Sequence, residues 1–103
     1  MNTLISLAIG SETIRTLGMR SSATPFRMEI ERYLDCGNTV SIDFGGKEAT
    51  QSYVDELVGA LVLKRGRSVL SQISFQNCSD DLRSIIKFVV SDRVHQVRQL
   101  ATA

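Results

Sequence analysis

Few residues in this chain could carry chemistry, and most are badly placed to share a site. Hydrolysis through a nucleophile needs a base to activate it and a third group to orient that base. His95 is the only histidine, and it stands near the end of the last amphipathic stretch, far in sequence from Cys36, Cys78 and Ser52. A histidine near a helix carboxyl end serves the helix dipole from the surface, so catalysis is not expected of it. Cys36 and Cys78 do not have the spacing of a zinc site or a disulfide framework. No phosphate-loop or dinucleotide-binding glycine pattern occurs. The expectation is a protein that is not an enzyme and uses no metal or cofactor.

A polar group remains: Asp43, Thr50, Ser52, Asp55 and Glu56, in the stretch TVSIDFGGKEATQSYVDELVGALVL. Val40, Ile42 and Phe44 alternate with Thr39, Ser41 and Asp43, the period of a strand. Gly45-Gly46 breaks it, since glycine accepts positive φ without steric cost. Val54, Leu57, Val58, Leu61 and Val62 then recur at the spacing of one apolar helix face. A side-chain oxygen at a helix start can accept a backbone N–H, and acids there suit the dipole. That places the helix start between Thr50 and Ser52. In α/β sheets, ligands and partners gather at the carboxyl ends of strands. Asp43, Ser52, Asp55 and Glu56 all fall at one such edge, with Asn77 beside them after the next strand. A purely structural reading stands alongside: a cap, a strand end and a solvated acid.

The rest of the chain must position that edge. Ile5, Leu7 and Ile9 predict a strand over residues 3 to 9, ended by Gly10-Ser11, while residues 12 to 19 are ambiguous. A helix is expected from Ser22 to Leu34, facing Phe26, Ile30, Tyr33 and Leu34 inward, with Ser22 or Thr24 as cap. Pro25 would sit in its first turn, where the missing N–H costs little, and Gly37 would close it. Gly66 ends the central helix, residues 69 to 76 read as a third strand, and Ser79 or Asp80 caps a last helix running to residue 97. Strand and helix thus alternate three times, which points to a small α/β domain with mostly parallel strands, about three or four, packed with helices. At 103 residues the whole chain, 1 to 103, is expected to be one domain.

Composition excludes several function classes. Net charge is +1 and basic residues are scattered, which argues against a nucleic-acid partner. The one basic cluster, Lys64-Arg65-Gly66-Arg67, falls at a helix end. The amino-terminal apolar run is too short to cross a bilayer and has no basic flank or cleavage pattern. A cytoplasmic protein with reduced thiols and no membrane is therefore expected. The last helix carries Ile85, Ile86, Val89 and Val90, and a homodimer would follow if that stripe were not covered by the sheet.

Four segments in register carry a family resemblance: Arg20-Ser21-Ser22-Ala23, Asp43-Phe44-Gly45-Gly46, Ser52-Tyr53-Val54-Asp55-Glu56-Leu57 and Ile73-Ser74-Phe75-Gln76-Asn77. Over roughly residues 20 to 90 the chain resembles the STAS-like family of unknown function, a relative of the anti-sigma-factor antagonist domains. It departs by carrying Tyr53 where a Phe is usual. The resemblance implies a small helix-covered sheet in a bacterial regulatory module. That module would act by protein–protein contact with a histidine-kinase-like ATPase or another regulator, and the helix starting near Ser52 would face the partner. It also implies a protein-kinase target at that helix start, Ser52 first and Thr50 second, with Asp55 and Glu56 repelling an added phosphate. The contact edge would comprise Asp43, Ser52, Tyr53, Asp55 and Glu56. Arg20 would pair with a carboxylate of the Asp-Glu pair, as an internal strut or as a contact to the partner. A small-molecule or nucleotide sensor using the same edge as a pocket is the alternative.

Overall fold

The structure, a computed structural model, describes residues 1–7 and 16–102, with side chains as far as residue 97. Its strands are β1 (Asn2–Ser6), β2 (Thr16–Leu17), β3 (Thr39–Asp43), β4 (Glu48–Ala49) and β5 (Ile73–Gln76). Helix α1 is Arg20–Asp35. One continuous helix follows β4, made of α2 (Gln51–Val54), a π-helical turn (Asp55–Gly59) and α3 (Ala60–Arg65). A 3-10 segment (Arg67–Ser71) leads into β5, and α4 is Asp80–Thr102.

Strands β1, β3 and β5 form one parallel sheet in that order, with Ile5 beside Ile42 and Ile42 beside Phe75. Because each crossover steps the same way across the sheet, crossovers of one hand put their helices on one face. Val40, Ile42 and Phe44 are fully buried in one core cluster with the helix residues Ile30, Val54, Leu57, Val58 and Leu82. Each such burial contributes roughly 1.5–3 kcal/mol. The opposite face is polar. Asn2 donates to Ser41 Oγ at 3.0 Å, the Ser41 and Ser74 hydroxyls lie 3.0 Å apart, and Thr39 donates to Asn2 Oδ1 at 2.9 Å.

The Gly45-Gly46 turn has φ of 64° and 75°, and Gly37 (φ 84°) and Gly66 (φ 83°) close their helices as expected. The last helix is capped by Ser79, whose Oγ accepts Leu82 N–H at 3.1 Å. Three expectations are corrected. Helix α1 begins at Arg20, with Met19 in the cap position and no side-chain cap, so neither Ser22 nor Thr24 caps it. Pro25 consequently lies in the second turn, and the Ser21 carbonyl loses its helical donor at an exposed residue. The central helix starts within its expected span: Thr50 is the cap, its Oγ accepting Tyr53 N–H at 3.2 Å, and Ser52 lies inside the first turn. Residues 69 to 71 belong to the 3-10 segment instead of a strand. Gly66 turns the chain, Val69 is buried, and Val69 N–H and Gln72 N–H close short turns on Gly66 and Val69 carbonyls. The predicted end of the first strand, Ile9 to Ser11, and residues 12 to 15 lie outside the described residues.

The two-residue pairing of β2 with β4 was not foreseen. It sets Leu17 beside Ala49, and Thr50 completes it by donating N–H to the Leu17 carbonyl and Oγ to the Gly18 carbonyl. That brings Arg20 to the start of the central helix.

Candidate functional site

The expected edge separates into two places. At the ends of β3 and β5, Asp43 Oδ1 accepts Gly45 N–H at 2.7 Å and Asn77 Nδ2 at 2.8 Å. Gly46 N–H bonds the Asn77 carbonyl, and Asn77 itself has φ of 56°. Asp43 and Asn77 thus latch one strand end to the other. Asp43 Oδ1, Asn77 Nδ2 and the Asn77 carbonyl are engaged with each other or with the glycine turn.

The second place is a cleft of about 350 Å³ between the amino ends of α1 and the central helix on one side and α4 on the other. Arg20, Ser52, Asp55, Phe88 and Arg93 line it, with Gln51, Val89 and Asp92. Asp55 is its hub. Arg20 Nη1 reaches Oδ2 at 3.1 Å, while Arg93 Nε and Nη2 converge on Oδ1 at 2.6 Å. Burial alone would push the Asp55 carboxyl up, but the hydrogen bonds and charges of Arg93 and Arg20 together outweigh it and hold the group below its usual range. The Arg93 guanidinium is correspondingly raised, first by its hydrogen bond to Asp55. Glu56 faces α1 instead, accepting from Arg27 Nε at 3.0 Å and Thr24 Oγ1 at 3.2 Å, with Arg20 Nη1 at 3.6 Å.

The local fold explains why Asp55 can be reached from α4. Ala60 N–H bonds the Asp55 carbonyl, five residues back, so the helix widens by one residue there. Gly59 then lies against α4. A Cβ on it would come within 2.4 Å of Asp55 Oδ1, 3.1 Å of Val89 Cγ1 and 3.2 Å of Arg93 Cγ. Glycine is therefore required for the Arg93–Asp55 approach.

Among the expected contact residues, Ser52 is exposed at the cleft and makes no side-chain hydrogen bond to a described residue. Thr50 spends its hydroxyl on Gly18 and Tyr53. Tyr53 is a correction: it is 1% exposed in the core, burial pushes its phenol up to about 12, and its hydroxyl lacks a described partner, so it is not part of a surface edge. Arg20 is half exposed and bridges Asp55 and Glu56 as a strut between helices, each contact monodentate. The dimer stripe is largely covered, with Ile86 and Val89 buried and Ile85 and Val90 partly so, whereas Phe88 beside Ser52 is 59% exposed.

Sequence reasoning missed Thr24, Arg27, Phe88 and Arg93. Arg20, Thr24, Arg27 and Glu31 recur at steps of four, three and four, a polar helical stripe visible in the sequence. Nothing local marks Arg93 or Phe88. No described helix is long and apolar enough to cross a membrane.

Comparison with known proteins adds one finding. No curated protein and no solved structure matches the chain. The family model described as a STAS-like domain of unknown function matches residues 22–83, and the sheet of three parallel strands packed with helices is compatible with that fold. That segment is more than half of the chain and contains the central strand, its glycine turn and the whole central helix. The chain therefore belongs to the family of STAS-like domains of unknown function.

Proposed function

We propose that this chain is a cytoplasmic, non-catalytic regulatory module. It docks on a protein partner through the Ser52 cleft, and phosphorylation of Ser52 sets the affinity. The observation that carries this reading is the placement of an exposed serine hydroxyl on the rim of a cleft whose walls hold Arg20 and Arg93. A phosphoserine carries about −1.5 to −2 charge and pairs strongly with guanidinium groups. Of the acids near it, Asp55 is already paired with two arginines and Glu56 with Arg27, while Asp92 on the lining accepts from Gln96. Phosphate at Ser52 would draw Arg20 from Asp55 and alter the cleft wall that a partner meets. Phe88, exposed on the same wall, supplies an apolar anchor for docking. From the family resemblance, the partner class is a histidine-kinase-like ATPase.

A ligand-sensing role at the same cleft has less support. Its volume lies within the usual range for small-molecule sites, but only Phe88 and Val89 among its lining residues are apolar. The test is a pull-down from native lysate with unmodified chain and with chain carrying phosphoserine at position 52, read by mass spectrometry. The expected result is an ATPase of that class captured by one bait and lost with the other. Equal capture by both baits would overturn the switch.

A further inference from the structure

A second surface lies away from the cleft, at the outer edge of β5. This strand pairs only with β3 among the described strands. Val40 N–H bonds the Gln72 carbonyl and Phe44 N–H the Gln76 carbonyl. In a parallel ladder, alternate residues turn their backbone groups to the same side. The N–H and C=O groups of Ile73 and Phe75 therefore point to the unpaired edge. An edge of this kind is a template for another strand.

The surroundings specify what kind of strand. On the helix side of this edge, a groove of about 420 Å³ is lined by Leu70, Phe75, Arg83, Ile86, Lys87 and Val90. A strand added beside β5 would send every second side chain into this groove. Four of the lining residues are apolar and favour apolar side chains there. Arg83 and Lys87 are exposed and form no ion pair with a described carboxylate, so the groove's rim carries two positive charges. On the other side, intervening side chains would lie next to exposed Ser74 and Gln76, a polar setting. A second copy of this chain fits poorly. Pairing β5 with its own copy would bring four such cations together, and the segment ISFQ supplies no acid to meet them.

We propose that the β5 edge binds an extended segment of a partner protein, alternating apolar and polar residues and flanked by acids, as a fourth strand of the sheet. This proposal is independent of the Ser52 reading. The cleft is not needed for it, and unphosphorylated chain would bind.

The test uses the full chain and fluorescent ten-residue peptides that alternate valine and threonine, flanked by glutamates or by lysines, read by anisotropy. Glutamate-flanked peptide is expected to bind at least tenfold tighter than lysine-flanked peptide, and Arg83→Glu with Lys87→Glu should reverse the preference. Two further peptides, N-methylated on either alternate set of amides, test the backbone ladder without altering the protein. One should fail and the other should bind, because only one set faces β5. Equal binding of both charge types, or retention of binding by both methylated peptides, would overturn the proposal. So would a dimer of the chain alone that protects the Ile73 and Phe75 amides from hydrogen exchange, since the occupant would then be a second copy.

Discussion

Two carboxylates, Glu31 and Asp55, each gather arginines from neighbouring helices, yet they do different work. Glu31 is 7% exposed and faces Arg27 from its own helix together with Lys64 at 3.1 Å and Arg65 at 3.5 Å from α3. Arg65 also bonds Asp35 at 2.8 Å and the Glu31 carbonyl at 3.3 Å. Every partner lies on α1 or α3, so the cluster clamps that seam. Asp55 draws its arginines from α1 and α4, and one of them, Arg20, has half of its side chain in solvent. Both clusters border surface depressions, but only that of Asp55 has a hydroxyl on its lining, Ser52. Exposed cations are present in both, Lys64 at Glu31 and Arg20 at Asp55, but only at Asp55 do they stand beside an exposed hydroxyl, that of Ser52.

The largest effect expected from this contrast is at Glu31. Replacing it with Gln takes a nearly buried carboxylate away from Arg27, Lys64 and Arg65, although Arg27 keeps Glu56 and Arg65 keeps Asp35. Breaking a buried pair costs about 3 kcal/mol at the lower end, and the loss belongs there because the cations keep some solvent and a second carboxylate. Urea denaturation of Glu31→Gln should show this loss. If it costs no more than Asp55→Asn, the two clusters are energetically alike and the contrast fails.

Asp55→Asn comes next, at about 1–2 kcal/mol near neutral pH, between a surface pair and a buried one. Here pH gives a sharper reading. The arginines hold the Asp55 carboxyl below its ordinary range despite burial, so the unfolded chain takes up that proton more readily than the folded one. The stabilisation is therefore present above the ordinary carboxylate pKa of about 4 and is lost as pH falls through the lower folded value. The stability gap between wild type and Asp55→Asn should be open at pH 6 to 7 and should narrow steadily as the pH falls below the ordinary carboxylate range. A gap that persisted in acid would mean that Asp55 acts through shape, without its charge.

What the sequence made legible was local. The period of Val40, Ile42 and Phe44, the glycines at 37, 45, 46 and 66, and the caps near Thr50 and Ser79 depend on neighbours within a few residues. The structure places them close to expectation. The β2–β4 pairing has only two residues per strand, too few for a period to show. The π turn was hidden because Val54, Leu57, Val58, Leu61 and Val62 keep the spacing of an ordinary helix. Arg93 meets Asp55 across 38 residues, a contact set by how α4 lies on Gly59. Tyr53 was placed on the contact edge together with its neighbours Ser52 and Asp55, whereas its ring belongs to the core and carries the hydroxyl inside. The site was thus half legible: Arg20, Ser52 and Asp55 were named, but the opposite wall was not.

The smallest expected effect separates two hydroxyls two residues apart. Thr50 caps the central helix through Tyr53 N–H and also holds Gly18, so Thr50→Ala should cost about 1 kcal/mol, the usual worth of such a cap. Ser52 sits inside the first turn, exposed and without a side-chain bond to a described residue. Ser52→Ala should therefore change stability by less than about 0.5 kcal/mol. Paired thermal or urea melts of the two variants decide the matter. If Ser52→Ala is as costly as Thr50→Ala, the Ser52 hydroxyl is part of the helix start and is not spare for modification. If it is silent, any change in partner capture by that variant reports on the surface alone, because the fold beneath it is unaltered.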